Sequence, residues 1–231
     1  MACKNQFGQL IGALVENWAP RPFPSKETLR GSYCILEPLA IDKHAADLFA
    51  VLADNGDESW TYLPYGPFNS CNEFCDWLKK MLAEADTQLY VILDRKTHAP
   101  IGICGYLRIN PEYGVIEVGH LHFSKLLKRS PAATEAMYLM MRRAFEQLKY
   151  RRYEWKCNSL NQASRNAAER LGFKFEGIFR QHFVVKNHNR DTAWFSIIDS
   201  EWPALKERFQ KWLAPNNFDT QGKQITALRD I

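Results

Sequence analysis

The sequence predicts a single α/β domain: one mixed, mostly antiparallel central sheet flanked by helices. Three observations predict it. Apolar spacing switches between strand and helix periods in the order β α α β β β α β α β β α. Turn clusters connect three successive strands between residues 89 and 123 as hairpins. A long helical segment between two strands, over roughly 115–156, gives one βαβ unit. The 231 residues carry no internal repeat and no dividing linker, and this length suits one large domain. At 46% hydrophobic and 24% charged, the composition excludes a disordered or low-complexity chain. No apolar run approaches the ~18 residues of a membrane span.

Each element has a local reason. Residues 1–29 read as an extended N-terminal arm, because Ala19-Pro20-Arg21-Pro22-Phe23-Pro24 holds the backbone open; Trp18 and Phe23 are its expected anchors. The main domain spans 30–214. Tyr33 to Leu39 is a strand stopped by Pro38, and residues 42–53 form a helix with Asp42 as N-cap. An aromatic loop, Trp60 to Phe68, leads to a helix capped by Ser70 or Asn69, with Phe74, Trp77, Leu78 and Met81 on it. Strands follow at Leu89–Leu93, Pro100–Ile109 and Val115–Phe123. A helix runs from Pro131 to about Leu148, then a strand Arg152–Cys157, then a helix Asn161–Leu171 ended by Gly172. Strands Phe173–Val185 and Thr192–Asp199 flank a polar turn, 186–191. The final helix starts near Pro203, and the C-terminal tail, 215–231, reads as loose.

Charge and cysteine narrow the function classes. The net charge is +4, and the densest basic cluster (Arg142, Arg143, Lys149, Arg151, Arg152) reads as a solvated helix face and turn. Nucleic acid is therefore not an expected partner. The six cysteines form no CxxC pair and have no histidine at zinc-finger spacing, so free thiols in a reducing cytoplasm, with no metal, are expected. The first residues lack a targeting signal, which also points to the cytoplasm.

Phe123 to Ala136 is the most informative stretch. A strand feeds a basic loop, and the loop feeds a long helix whose N-terminus presents unpaired N–H groups and a positive dipole end. Small residues admit a ligand to that backbone, and Lys128 and Arg129 add charge, which suits a diphosphate. An ordinary capped helix, with Ser130 as N-cap and Pro131 in its first turn, explains the same stretch. Downstream lie Asn161, Ser164 and Gly172-Phe173 in the spacing N-x-x-S-x7-G-F, then Gly172-Phe173-Lys174-Phe175-Glu176-Gly177.

Taken together, these motifs resemble the GNAT superfamily of N-acetyltransferases, in particular its ribosomal-protein alanine N-acetyltransferase-like branch. The resemblance covers residues 30–200 and implies acetyl-CoA as co-substrate and no metal. It assigns Lys128, Arg129, Ser130, Pro131, Ala132 and Ala133 to the diphosphate loop, with Thr134 beside it. It assigns Asn161 and Ser164 to the pantetheine arm or diphosphate, and Leu121, His122 and Phe123 to backbone contacts with pantetheine and thioester. Pro131 departs from the family's central glycine and removes a backbone donor.

Glu117 occupies the strand position of the glutamate base in histone-acetylating members. A half-buried glutamate paired to an arginine is the other reading of the same residue. Strand alternation sets Glu117, Gly119, Leu121 and Phe123 on one face and His120 and His122 on the other, unless a bulge intervenes. Both histidines remain candidate catalytic groups. Ala168 stands where many relatives carry a tyrosine acid, which leaves Tyr138, Cys157 and Ser164 as substitutes.

The aromatic loop implies an acceptor wall of Trp60, Tyr62, Tyr65 and Phe68, or else an aromatic core plug. Arg180 and the turn Asn189-Arg190-Asp191 lie where the last hairpin approaches the acceptor and could hold a carboxylate or a peptide end, although for the turn a solvated loop is the favoured reading. The expected function is acetyl transfer from acetyl-CoA directly to a primary amine, on a small molecule or a protein N-terminus, with no membrane partner. The alternatives are a non-catalytic acyl-CoA-binding sensor and an RNA-associated domain. A homodimer through the arm or the last helix stays open.

Overall fold

The computed structural model describes residues 3–231. A two-stranded ribbon, β1 (Cys3–Lys4) with β2 (Leu10–Ile11), precedes the main sheet. That sheet has eight strands in the order β3-β4-β5-β6-β7-β8-β10-β9. They are β3 (Leu29–Arg30), β4 (Cys34–Pro38), β5 (Gln88–Asp94), β6 (Pro100–Asn110), β7 (Val115–Phe123), β8 (Arg152–Asn158), β9 (Lys174–Val185) and β10 (His188–Ile198). Every neighbouring pair is antiparallel except β7 and β8, which are joined through a helix as a βαβ unit must be.

Two apolar layers cover the sheet. Helices α1 (Ile41–Ala53) and α2 (Cys71–Ala83) bury Leu48, Leu52, Phe74 and Leu78 against Ile35, Val91 and Ile103. On the opposite face α3 (Pro131–Arg142), α4 (Gln162–Arg170) and α5 (Trp202–Leu213) pack over Leu36, Tyr90, Tyr106, Ile116, Val118 and Tyr153. Glu135, one turn into α3, accepts the backbone N–H groups of Ser32, Tyr33 and Cys34 at 2.7, 2.6 and 2.8 Å. This buried carboxylate ties the start of α3 to the β3–β4 turn and so fixes the helix end that faces the cleft described below.

Several local expectations are corrected. Asp42 lies within the first turn of α1; Ala40 is the N-cap and no side chain caps it. Ser70, not Asn69, caps α2. Helix α3 stops at Arg142 and continues as a π-helical turn to Gln147, where the Leu148 N–H reaches Arg143 O. Arg143 is no solvated residue: it is 2% exposed, and its guanidinium donates to the Tyr90 hydroxyl and to Ser25 in the arm.

The arm is anchored through Trp18, whose indole donates to Glu112 O at 3.0 Å, and through buried Pro24; Phe23 faces solvent. The β9–β10 turn is tighter than expected. Lys186 and Asn187, with φ of +48° and +63°, make a two-residue hairpin turn, so β10 begins at His188. The residues after α5 are packed: Leu228 is fully buried, and the Asn217 amide donates to Trp212 O and Thr226 O at 3.0 and 3.1 Å. Among the described residues, no helix is long and apolar enough to cross a membrane.

Candidate active site

The parallel ladder between β7 and β8 is short. It runs from Val115 opposite Arg152 to Val118 opposite Trp155 and stops there. Beyond it β7 follows β6 as far as Phe123, while β8 follows β10 as far as Asn158. A cleft of about 1300 Å³ opens between the diverging ends. That exceeds the roughly 300–1,000 Å³ of a pocket for one small ligand, and gives room for an elongated ligand with a second one beside it.

One end of the cleft is built from consecutive residues. Leu127 is buried and anchors the loop before α3. Arg129 takes a left-handed backbone, φ +61°, and turns the chain into the helix. Ser130 caps α3: its Oγ accepts the Ala133 N–H at 3.3 Å, and its hydroxyl donates to Leu127 O at 2.7 Å. Pro131 stands in the first turn, where a missing N–H costs no helical bond. Yet with Pro131 lacking a donor and Ala133 turned onto Ser130, this helix end offers fewer free N–H groups than an ordinary one. Lys128 and Arg129, both exposed, supply positive charge there.

Asn161 caps α4 by accepting the Ser164 N–H at 3.1 Å, and Ser164 Oγ accepts the Trp155 indole N–H at 3.0 Å. Thr134 Oγ1 accepts a hydrogen bond from Arg170 at 3.1 Å. The free edge of β7, a capped helix end with two cations, and the elongated volume together fit an acyl-CoA.

The other end is assembled across strands. Glu117 is 3% exposed, and its Oε2 meets Arg108 at 2.7 Å and Lys156 at 2.8 Å. Lys156 also pairs with Glu154 at 2.8 Å and lies 3.8 Å from the centre of the Trp194 ring. Glu154 in turn pairs with Arg152, which reaches Glu176. Glu117 is therefore the paired glutamate of the second reading, and it also lines the cleft.

The strand itself carries a bulge. Between Gly105 opposite Gly119 and Ile103 opposite His122, only Cys104 on β6 faces both His120 and Leu121 on β7. His120 absorbs the extra residue with φ +50°. One inserted residue reverses the parity of everything after it. Leu121 and Phe123 consequently pack with Val118 on the α3 side. His120 and His122 turn to the side of Glu117, and the simple alternation expected above fails beyond Gly119. The Tyr65 hydroxyl and His120 Nδ1 share a hydrogen bond of 2.9 Å. His122 Nε2 lies 3.0 Å from Ser59 Oγ and 3.3 Å from Asn55 Nδ2, and that amide also donates to Phe123 O at 3.0 Å. Burial, and then Arg108, pushes His120 down to about 4; burial, and then Lys128, does the same to His122. Both imidazoles are neutral at pH 7.

Most expected site residues line the cleft: Glu117, His120, Leu121, His122, Phe123, Lys128, Arg129, Ser130, Pro131, Ala133, Thr134, Asn161, Ser164, Tyr62 and Tyr65. Four do not. Trp60 is buried with its ring edge-on to His122 at 4.0 Å, and Phe68 packs among Trp60, Phe74 and Trp77, so these two are the core plug. Ala132 is buried under α3 because helix periodicity turns it inward. Arg180 is exposed on β9, on the face opposite its neighbour Phe179, which stacks on Trp194.

Of the substitute acids, Tyr138 stacks on Trp202 and faces α5, whereas Cys157 and Ser164 line the cleft. Burial raises the Cys157 thiol, opposed by its hydrogen bond to Ser164. Ala168 is fully buried. Sequence reasoning missed Arg108, Lys156, Asn55 and Ser59. The first two reach Glu117 from neighbouring strands, and only strand register reveals them.

The comparisons with known proteins agree with this geometry. The family model of the acetyltransferase (GNAT) domain matches residues 34–174. A GCN5-related N-acetyltransferase from Brucella melitensis is 47% identical, with a TM-score of 0.91 over 93% of this chain and 98% of that one. A probable GNAT-family acetyltransferase from Chromobacterium violaceum is 42% identical, with a TM-score of 0.80 over 84% and 96%. The microcin C7 self-immunity acetyltransferase MccE, solved with acetyl-CoA and AMP, shares the fold at 15% identity, with a TM-score of 0.65 over 73% and 93%. A splayed parallel strand pair, a basic helix end at one side of the opening and a domain match across most of the sheet make this chain a member of the GNAT acetyltransferase family.

Proposed function

We propose that this acetyltransferase moves acetyl from acetyl-CoA directly to a primary amine, with both substrates bound at once. The observation that carries the reading is the single cleft: its basic helix end and its Glu117 end lie on either side of the free edge of β7. Acetyl-CoA supplies an acetyl group activated as a thioester. Lys128 and Arg129 hold the diphosphate by charge, with Ser130, Ala133 and Thr134 beside them. Asn161 and Ser164 flank the pantetheine arm. The backbone of Leu121 to Phe123 pairs with it and polarises the thioester carbonyl.

The acceptor nitrogen must lose a proton before it can attack. Glu117 takes that proton, directly or through water, on Oε1, while Arg108 and Lys156 hold Oε2. Carbon–nitrogen bond formation and carbon–sulfur cleavage leave one ammonium proton on the departing sulfur and one in solvent. Ser164 and Cys157 are the protic groups on that side of the cleft.

Calorimetric titration with acetyl-CoA, followed by thiol release with pooled amines, tests the reading. Binding with release that Glu117→Gln abolishes supports it; binding without release from any pool favours an acyl-CoA sensor. Absence of binding overturns both.

A further inference from the structure

Around Glu117 the charges pair off. Arg108 and Lys156 share Glu117, Lys156 and Arg152 share Glu154, and Arg152 holds Glu176. Arg190 on β10 lines the same cleft and stands outside this set. Among the described residues no carboxylate lies within ion-pair distance of it; its guanidinium sits 5.7 Å from the centre of the Phe183 ring, and its Nε is buried without a hydrogen-bond partner. The adjacent Asp191 is turned away, accepting from the Gln181 N–H at 2.7 Å and the Asn189 amide at 3.0 Å. A guanidinium drawn into a wall without an anion is costly, and a carboxylate matches its fork with two parallel hydrogen bonds.

Arg190 belongs to the acceptor end. The side chains close enough to act on it are Cys157, Arg108 and Glu117, so it stands between the departing sulfur and the base, whereas Lys128 acts on His122. The acceptor end is also bridged. Lys186, at the tip of the β9–β10 hairpin, donates to Trp60 O at 2.9 Å. The hairpin thereby meets the loop whose Tyr62 and Tyr65 line the cleft. Such a rim suits a small molecule better than a segment of a folded protein.

We propose that the acceptor is a small amine bearing a carboxylate, of the α-amino-acid class, with Arg190 binding the carboxylate while the amine faces Glu117. This rests on the transferase reading above. Arg190 is thus a specificity-determining residue.

The test is equilibrium binding, which needs no turnover. The full-length wild type, Arg190→Gln and Arg190→Lys are titrated calorimetrically with the common amino acids, their N-acetyl derivatives and the matching amides, with CoA present. In the wild type at least one acid binds about tenfold or more tighter than its amide; Arg190→Gln erases the difference and Arg190→Lys restores only part. Equal affinity for acid and amide, no acid bound across the panel, or a preference untouched by Arg190→Gln overturns the proposal. Should Arg190→Gln fail to fold, the wild-type acid–amide comparison still decides. Acid binding without acetyl transfer would sink the transferase reading alone. Acetyl transfer with no preference for the carboxylate would sink this one alone.

Discussion

The two ends of the cleft are built in opposite ways. The helix end comes from one run of chain, residues 124–134, in which a loop, a cap and two cations are neighbours in sequence. The Glu117 end gathers Tyr65 from a loop, Arg108 from β6, Glu117 and His120 from β7, Lys156 from β8 and Arg190 from β10. The first is a local structure that ligand charge can find. The second exists only once strand register is set, and its polar groups hold one another through buried pairs. Binding and chemistry should therefore separate, with substitutions at one end leaving the other's measurement nearly unchanged.

The largest expected effect is at the assembled end. Glu117→Gln lowers kcat/KM by about 10²-fold or more, and acetyl-CoA affinity stays within about twofold because the helix end is untouched. Steady-state kinetics beside calorimetry reads both, and a parallel loss of affinity would show that the ends are not independent. Next comes the local end. Replacing Lys128 and Arg129 together by Ala weakens acetyl-CoA binding about 10- to 100-fold, as loss of two charge-assisted contacts implies, and the loss shrinks as salt rises. If affinity is unchanged, backbone donors suffice despite Pro131.

The third effect concerns stability. His120 and His122 are held at about 4 against about 6.5 in the unfolded chain, so the unfolded chain takes protons first as pH falls. Their contribution is intact above pH ~6.5 and drains between about 6.5 and 4, by up to about 1.4 kcal/mol per pH unit for each histidine. Denaturant midpoints across that window measure the slope, and His122→Asn makes it shallower. The smallest effect is Tyr65→Phe. Losing the 2.9 Å bond to His120 costs about 1 kcal/mol of stability, read from the denaturant midpoint, with no change at the helix end.

Legibility in the sequence follows the same division. The element order, the βαβ unit, Ser130 and Asn161 as caps, and Gly172 with φ +97° at the end of α4 all follow from spacing and local chemistry. Residues whose role is set by distant contacts are not legible in this way, for identifiable reasons. Arg143 looks like part of a basic surface, but the π-helical turn and the polar groups of Tyr90 and Ser25 take it inside. Trp60 and Phe68 fit a binding wall or a core plug equally well in the sequence, and only packing under α2 makes them the plug. His120 and His122 look opposed to Glu117, because a bulge is invisible to a period of two. The C-terminal residues look loose because Leu228 and Asn217 are isolated from any periodic segment, and only α5 supplies the surface they cover.

What the sequence by itself determined is therefore whatever depends on near neighbours: helix and strand periodicity, caps, turns, and the charged helix end after β7. Those rest on backbone geometry and hydrogen bonds made within a few residues. Only the tertiary structure decided which side chains share a site. The splay after Val118, the bulge at His120, the pairing of Glu117 with Arg108 and Lys156, and the position of Arg190 beside Phe183 all depend on strand register. Register is set by the packing of both sheet faces against helices distant in the chain, and one residue of slip changes the face of every side chain that follows.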